Sequence, residues 1–151
     1  MTNQEEMAIY ESLQKIYVLL DDGDRRVLRQ ADLTPTQYNL MQRLDGVKKG
    51  GLTITEMARL LLCTRGNVTR LVRRLEQLGL VQVGGDADDQ RLVRVMLTLE
   101  GMERLQAARS AHTASIRRRF QELEPAVRHQ LTRLTSQVVD LLESDLAQQV
   151  K

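Results

Sequence analysis

Apolar residues recur at intervals of three and four along most of the chain, a spacing that predicts a mainly helical protein. A first helix is expected from about residue 4 to residue 30, with a kink at the acidic run Asp21-Asp22-Gly23-Asp24. This helix carries an apolar stripe too long to be buried by one small domain, which predicts contact with another chain. The stripe consists of Ile9, Leu13, Ile16, Tyr17 and Leu20.

Threonines mark the starts of the next helices. Thr34-Pro35-Thr36-Gln37 and Thr53-Ile54-Thr55-Glu56 are capping boxes, in which a hydroxyl and a later Gln or Glu each bind a free backbone N–H. Thr64 is expected to cap a further helix that Gly79 ends. The helices beginning at Thr53 and Thr64 are joined by a tight turn near Leu62-Cys63. Two short helices connected in this way predict a helix-turn-helix.

The rest of the pattern predicts a β-hairpin and two long helices. The pattern predicts two paired strands, at Val81-Gln82-Val83 and at residues 92–97, with turn residues over 84–89. Thr98 is expected to cap a helix to about Glu122, and Pro125 to open the last helix. That helix carries a heptad-like seam of Val127, Leu131, Leu134, Val138, Leu141 and Asp145. The expected fold class is mainly α: a winged helix-turn-helix of six helices plus a small β-hairpin wing, dimerising through its N- and C-terminal helices.

The helix that begins after Thr64 has the chemistry of a DNA reader. Its apolar face predicts burial, and its other face has no acid before Glu76. Arginine can pair with guanine and asparagine with adenine, each through two hydrogen bonds in the major groove. A solvated helix face is the alternative for the same residues, and Arg74 can pair with an acid of the wing instead. The polar face comprises Arg65, Asn67, Thr69, Arg70, Arg73 and Arg74.

Composition narrows the class of protein. The 151 residues fit one domain. The net charge is only +2, but basic residues are concentrated in the helix after Thr64. The single cysteine, Cys63, excludes an internal disulfide and a thiolate-rich metal site. The polar N-terminus and the lack of a long apolar run predict a cytoplasmic protein. Two separated histidines and one cysteine supply no catalytic triad, so we expect no enzyme, no metal and no cofactor.

Three segments in order resemble the MarR family of bacterial transcription regulators. They are Leu33-Thr34-Pro35-Thr36-Gln37-Tyr38, residues 67–81, and Asp86-Ala87-Asp88-Asp89-Gln90-Arg91 with Leu97-Thr98-Leu99-Glu100-Gly101 after it. The resemblance covers nearly the whole chain. It implies a DNA-binding lobe over 34–98 and a helical dimerisation region over 1–32 and 99–151. It also implies a homodimer on the double-stranded DNA of a pseudo-palindromic operator, usually as a repressor released by a small ligand or by oxidation.

The resemblance assigns roles to individual residues. Thr64 is expected to hold a phosphate, and Arg91 at the wing tip to enter the minor groove with Asp89 orienting it. Arg73 stands where many relatives carry an acid, and Ala87 and Gln90 replace the usual proline and second basic residue. Asp86, Asp88 and Asp89 fit a turn better than a metal site. The expected major-groove residues are Arg65, Asn67, Thr69, Arg70 and Arg73.

The sequence does not distinguish a regulatory site from ordinary core packing. A small aromatic or anionic effector is expected in a crevice lined by Tyr17, Tyr38, Met41 and His112, although core packing explains these residues equally well. Cys63 is expected to be a small buried residue of the helix-turn-helix turn rather than a redox sensor. The two alternative functions are a helical protein-interaction adaptor on the winged fold and a thiol-based regulator acting through Cys63.

Overall fold

A computed structural model of the chain describes residues 2–47, 50–89 and 91–149, and it forms six α-helices and three β-strands. The chain divides into two compact units, one ending at His112 and the other beginning at Thr113, within the fifth helix. No helix in the described ranges is long and apolar enough to cross a membrane. The elements are α1 (Thr2–Leu28), α2 (Pro35–Asp45), β1 (Leu52–Thr53), α3 (Ile54–Leu60), α4 (Arg65–Gln77), β2 (Val81–Gly85), β3 (Val93–Leu97), α5 (Leu99–Phe120) and α6 (Pro125–Gln149).

The predicted caps are confirmed. At the start of α2 the Thr34 hydroxyl accepts the Gln37 N–H at 3.2 Å, and the Gln37 side chain accepts the Thr34 N–H at 2.9 Å. Thr53 and Glu56 make the same reciprocal pair before α3. These bonds satisfy backbone donors that have no partner inside the helix, so the sequence defines where each helix begins.

The predicted weak point in α1 does not interrupt the helix, which continues through residues 21–24 to Leu28 before a 3-10 turn. Arg25 contacts Asp21 at 2.7 Å and Arg26 contacts Asp22 at 2.9 Å, each one helical turn away. Such pairs stabilise a helix when the acid precedes the base by four residues. The acids that suggested a weak point therefore support the helix.

The sheet contains one strand that the pattern did not predict. Its order is β1-β3-β2, and all pairs are antiparallel, with Thr53 opposite Arg94 and Val83 opposite Val95. The predicted hairpin of β2 and β3 is confirmed. β1 lies so close to β3 that a Cβ on Gly51 would meet the Val95 carbonyl oxygen at 2.1 Å. Gly51 also has a φ of 71°, so both its conformation and its surroundings require glycine.

The core of the first unit is aliphatic, and it joins α2, α3, α4, the sheet and the first part of α5. Arg109 on α5 contacts Asp45 at the end of α2 at 2.7 Å. At the start of α5, the Thr98 hydroxyl caps Gly101 and donates to the Gly79 carbonyl at 2.6 Å. The most buried side chains include Leu28, Leu40, Met41, Met57, Val68, Leu75, Leu80, Val95 and Leu105.

The second unit contains the end of α5 and all of α6. Between Pro125 and Gln148, Val138 is half-buried and every other residue is exposed. The predicted seam therefore lies on an uncovered face, with Leu131 41% exposed and Leu141 70% exposed. In the first unit, α1 is similarly exposed from Gln4 to Leu20, with only Leu13 half-buried.

Candidate nucleic-acid interface

The turn between α3 and α4 has an unusual backbone. Leu62 has a φ of 51°, a left-handed conformation that is uncommon for a branched residue, and its side chain is 80% exposed. The Cys63 N–H then donates to the Ala58 carbonyl at 3.0 Å and closes the turn. Cys63 is exposed, so the prediction of a buried cysteine is wrong. The reversal at Leu62 turns this part of the chain outward, which the residue types alone do not show.

Helix α4 separates its residues into two faces, as predicted. Val68, Val72 and Leu75 are buried in the core. The Thr64 hydroxyl caps the helix by accepting the Asn67 N–H at 3.2 Å. On the opposite side Thr64, Arg65, Asn67, Arg70, Arg73 and Arg74 are exposed, and Thr69 is half-buried. The structure thus brings the six predicted residues of this helix and its cap onto one accessible surface.

Several of these side chains are held by their neighbours. Arg70 donates to the Asn67 side-chain oxygen, and the Thr69 hydroxyl donates to the Arg65 carbonyl at 2.8 Å. An arginine fixed in this way loses less side-chain entropy when it binds a further acceptor.

The wing turn is organised by aspartates. Asp86 Oδ1 accepts the backbone N–H groups of Asp88 at 2.8 Å and Asp89 at 3.0 Å. Asp89 Oδ1 accepts the backbone N–H of Arg91 at 2.9 Å. Asp89, which was expected to orient Arg91, contacts it through the backbone N–H. The Arg91 side chain is exposed in the wing turn, which is a separate element from α4.

Arg94 on β3 was not identified from the sequence. Its guanidinium donates from Nε to Asp86 Oδ2 and from Nη1 to the Gly51 carbonyl at 3.2 Å, and Nη1 lies 3.7 Å from Glu56 Oε2. The hydrogen bond from Arg94 and those from the Asp88 and Asp89 backbone lower the pKa of Asp86 to about 2. Only a slight indication of this role is visible in the sequence, because Arg94 is a single charged residue inside an otherwise apolar strand.

The four residues predicted to line an effector crevice lie in different surroundings. Tyr38 is buried and meets the His112 ring edge-on, with the centroids 5.1 Å apart. His112 Nε2 lies 3.1 Å from Asp24 Oδ1, close enough for an ion pair when protonated but without hydrogen-bond geometry. Met41 is fully buried in the core, whereas Tyr17 on α1 is 66% exposed. Burial raises the pKa of the Tyr38 hydroxyl.

Two clefts of the first unit are lined by residues other than the four predicted for the effector crevice. One, of about 400 Å³, lies between the end of α1 and α5 and is lined by Val27, Gln30, Ala31, Asp32, Arg104, Ala107 and Ala111. Another, of about 400 Å³, lies beside the turn after α3 and is lined by Asn39, Gln42, Arg43, Leu60, Leu61 and Leu62.

Two helices joined by a tight turn, an exposed basic face on the second helix and a β-hairpin after it define a winged helix-turn-helix protein. Comparisons with known proteins agree. The family model described as "MarR family" matches residues 31–92. The uncharacterized HTH-type transcriptional regulator YkoM of Bacillus subtilis is 27% identical over 133 residues, which are 85% of either chain.

Solved structures have the same fold along most of the chain. AbsC, a MarR family transcriptional regulator from Streptomyces coelicolor, matches with a TM-score of 0.81 at 20% identity, over 93% of this chain and 95% of AbsC. Sco3205, a MarR family regulator of the same organism solved in complex with DNA, matches with a TM-score of 0.79 at 29% identity, over 90% of this chain and 87% of Sco3205. Residues 31–92 thus match the MarR family model, and the chain has the fold of MarR family transcription regulators.

Proposed function

We propose that this protein is a dimeric repressor that binds a pseudo-palindromic operator and leaves it when a small effector binds. The observation that carries the proposal is the exposed basic face of α4, set in a helix-turn-helix and followed by a wing. The Sco3205 complex with DNA and the MarR complex with operator DNA, from proteins of the same fold, support this use of the surface.

The dimer is proposed from the uncovered apolar faces of α1 and α6. A helix in water gains most of its stability by packing an apolar face, and the described part of α6 buries almost none of its seam within one chain. A second copy supplies an equivalent apolar seam, as in coiled coils. We propose that α1 and α6 form the dimer interface, in agreement with a dimerisation region over 1–32 and 99–151 and a DNA-binding lobe over 34–98.

At the DNA we propose two separate contacts per subunit. The α4 residues of the two subunits enter successive major grooves, about 10 base pairs apart or a multiple of it. Arg91 enters the minor groove, where groove width is read more than base sequence. The residues proposed to contact DNA are Thr64, Arg65, Asn67, Thr69, Arg70, Arg73 and Arg91.

For regulation we propose an aromatic or anionic effector that contacts the Tyr38–His112 pair and the exposed Tyr17. The pair connects α2 with α5 and, through Asp24, with α1. An effector can act there only through different affinities for DNA-competent and DNA-incompetent arrangements. Met41 lies in the same core but is fully buried, so a ligand reaches it only if α2 shifts.

The DNA proposal is tested by selecting duplexes from a random library with the purified protein and titrating the best one at 50 and 200 mM salt. About four phosphate contacts per dimer predict that affinity falls about 100-fold over this range. Enriched sequences are expected to contain two inverted half-sites. Failure to enrich any duplex, together with flat salt dependence, would favour the alternative of a protein-interaction adaptor.

The effector proposal is tested by a thermal-shift screen of phenolic acids and metabolites, followed by DNA-release assays. A true effector raises the melting temperature, because it binds the native state, and lowers DNA affinity. The variant Tyr38→Phe is expected to weaken both responses. Since Cys63 is exposed, peroxide is tested in parallel. Release by peroxide alone, abolished by Cys63→Ser, would replace the effector proposal with a thiol switch.

A further inference from the structure

Arg94 connects three segments that are distant in sequence. Its strand pairs with β1 on one side and β2 on the other, since Arg94 lies opposite both Thr53 and Gly84. From this central position the guanidinium contacts Asp86 at the start of the wing turn, the Gly51 carbonyl before β1 and the Glu56 carboxylate in the first turn of α3. The contact therefore joins the wing to the first helix of the helix-turn-helix.

The Asp86 carboxylate extends this connection into the wing. Oδ2 accepts from Arg94 while Oδ1 accepts from the backbone of Asp88 and Asp89. Asp89 in turn accepts the backbone N–H of Arg91. A continuous series of polar contacts thus runs from Glu56 on α3, through Arg94 and Asp86, to the backbone of Arg91. The Asp86 and Arg94 side chains are 10% and 26% exposed, so water competes with their pair only in part.

We propose that Arg94 and Asp86 are positioning residues, which fix the wing relative to α3 and α4 so that Arg91 reaches the minor groove while α4 occupies the major groove. This inference rests on the proposed DNA contact of Arg91 and adds the residues that hold it in place. Reading two grooves at once requires a fixed offset between two surfaces. A wing without the contact between Arg94 and Asp86 has to be ordered when DNA binds, and this ordering lowers the affinity for DNA.

The chemistry of arginine suits this role. Its planar guanidinium carries five N–H donors in a fixed geometry and can serve several acceptors at the same time. Here it meets a carboxylate through Nε and a carbonyl and a second carboxylate through Nη1. Lysine keeps the charge but has a single nitrogen on a flexible stem, so Arg94→Lys is expected to restore only part of the function.

A double-mutant cycle separates positioning from direct DNA contact. Arg94→Met is expected to weaken binding to the selected duplex about tenfold in the wild-type background and less than about twofold in Arg91→Ala, because residues acting through one contact are not additive. The salt dependence is expected to become shallower in Arg94→Met and to change no further in the double variant. Arg109→Met is the matched control, since its ion pair with Asp45 also joins two elements, and its DNA affinity is expected to stay unchanged.

Hydrogen exchange without DNA provides the second measurement. The amides of Asp88 and Asp89 donate to Asp86, so they are expected to exchange about tenfold faster in Arg94→Met, to an intermediate extent in Arg94→Lys and at the wild-type rate in Arg109→Met. Unchanged exchange would overturn the inference.

The outcomes also separate the inference from the function on which it rests. Arg91→Ala binding as tightly as wild type would overturn the proposed wing contact and the inference together. Equal losses from Arg94→Met with and without Arg91 would assign Arg94 to the DNA surface and overturn the inference alone. A loss in Arg109→Met as large as in Arg94→Met would also overturn it, because any broken ion pair would then have the same effect.

Discussion

Helices α4 and α6 both carry an apolar stripe, but a single chain covers the stripe of only one of them. In α4, Val68, Val72 and Leu75 lie in the core, and the exposed side is basic and polar. In α6 the seam residues Leu131 and Leu134 are exposed by 41% and 45%. The lobe that contains α4 is thus complete as a packed unit, whereas α6 leaves its apolar face uncovered.

This difference supports the partner that we propose for each surface. Exposed arginines, with Arg70 held by the Asn67 side chain, suit the phosphates and base edges of DNA. An exposed apolar seam on a long helix suits a second apolar seam, because water is then excluded from both. We therefore propose that the two amphipathic helices bind different partners, and mutations should separate the two roles.

The largest effect is expected from Leu131→Glu, which places a charge in the seam of each subunit. A charge that is desolvated without a partner costs several kcal/mol. We expect a loss of about 2–4 kcal/mol per dimer, or roughly 30- to 1,000-fold in dimer affinity, with lower helicity in α6. Sedimentation at several protein concentrations measures the dimer, and circular dichroism measures the helicity.

The matched control is Ser136→Glu, which adds the same charge to the same helix on the side away from the seam. It is expected to leave the dimer intact, since glutamate is a good helix former and this position stays in water. Equal weakening by both variants would show that charge on α6, rather than burial of the seam, determines association. A wild-type chain that remains a folded monomer at micromolar concentration would contradict the proposed dimer itself.

The next effect compares two arginines of the DNA-binding lobe. Arg70→Ala is expected to cost about 1–3 kcal/mol on the selected duplex and to relax sequence preference, as for an arginine that pairs with a base. Arg91→Ala is expected to weaken binding to all duplexes and to reduce the salt slope by about two, one for each subunit of the proposed dimer. Titration of matched and mismatched duplexes at two salt concentrations distinguishes them, and identical profiles for both variants would contradict the division of roles.

Much of the fold follows from local chemistry that a sequence displays. The hydroxyls of Thr34, Thr53, Thr64 and Thr98 cap the helices that they were predicted to cap. Gly79 has the positive φ expected after the end of α4. Each of these signals involves residues within one turn of one another, so nothing distant is needed to interpret them.

The features that were missed depend on distant residues or on backbone geometry. β1 has two residues, too few for a visible alternation, and forms only because β3 pairs with it, with Thr53 opposite Arg94 and Leu52 opposite Val95. The contacts of Arg94 follow from the register of the same pairing. Cys63 is exposed because of the left-handed backbone at Leu62. The exposed basic face of α4 was visible in the helical period, whereas the contacts of Arg94 with Asp86, Gly51 and Glu56 were not.

Alanine substitutions at two glycines test how tightly the lobe is packed. A Cβ on Gly101 in the first turn of α5 would lie 2.0 Å from the Leu80 carbonyl oxygen, whereas one on Gly66 in α4 meets nothing within 4 Å. Gly101→Ala is expected to destabilise the protein by about 1–3 kcal/mol through overpacking. Gly66→Ala is expected to stabilise it by about 0.5–1 kcal/mol, since alanine favours helix. Urea unfolding measures both, and equal signs would contradict the packing described at Leu80.

The smallest effect concerns the pH dependence of the Asp86–Arg94 pair. The folded pKa of Asp86 is lowered from 3.8 to about 2, so its contribution to stability is fully present above pH 3.8 and is lost as the pH falls through 2. The stability difference between wild type and Asp86→Asn should therefore be constant from pH 5 to 7 and shrink between about pH 4 and 2. Urea midpoints at pH 3, 4 and 6 measure it. Because the pair lies in the lobe that one chain completes, the same profile is expected in the Leu131→Glu background. A profile present only in the dimer would show that the lobe also depends on its partner, and the contrast between α4 and α6 would no longer hold.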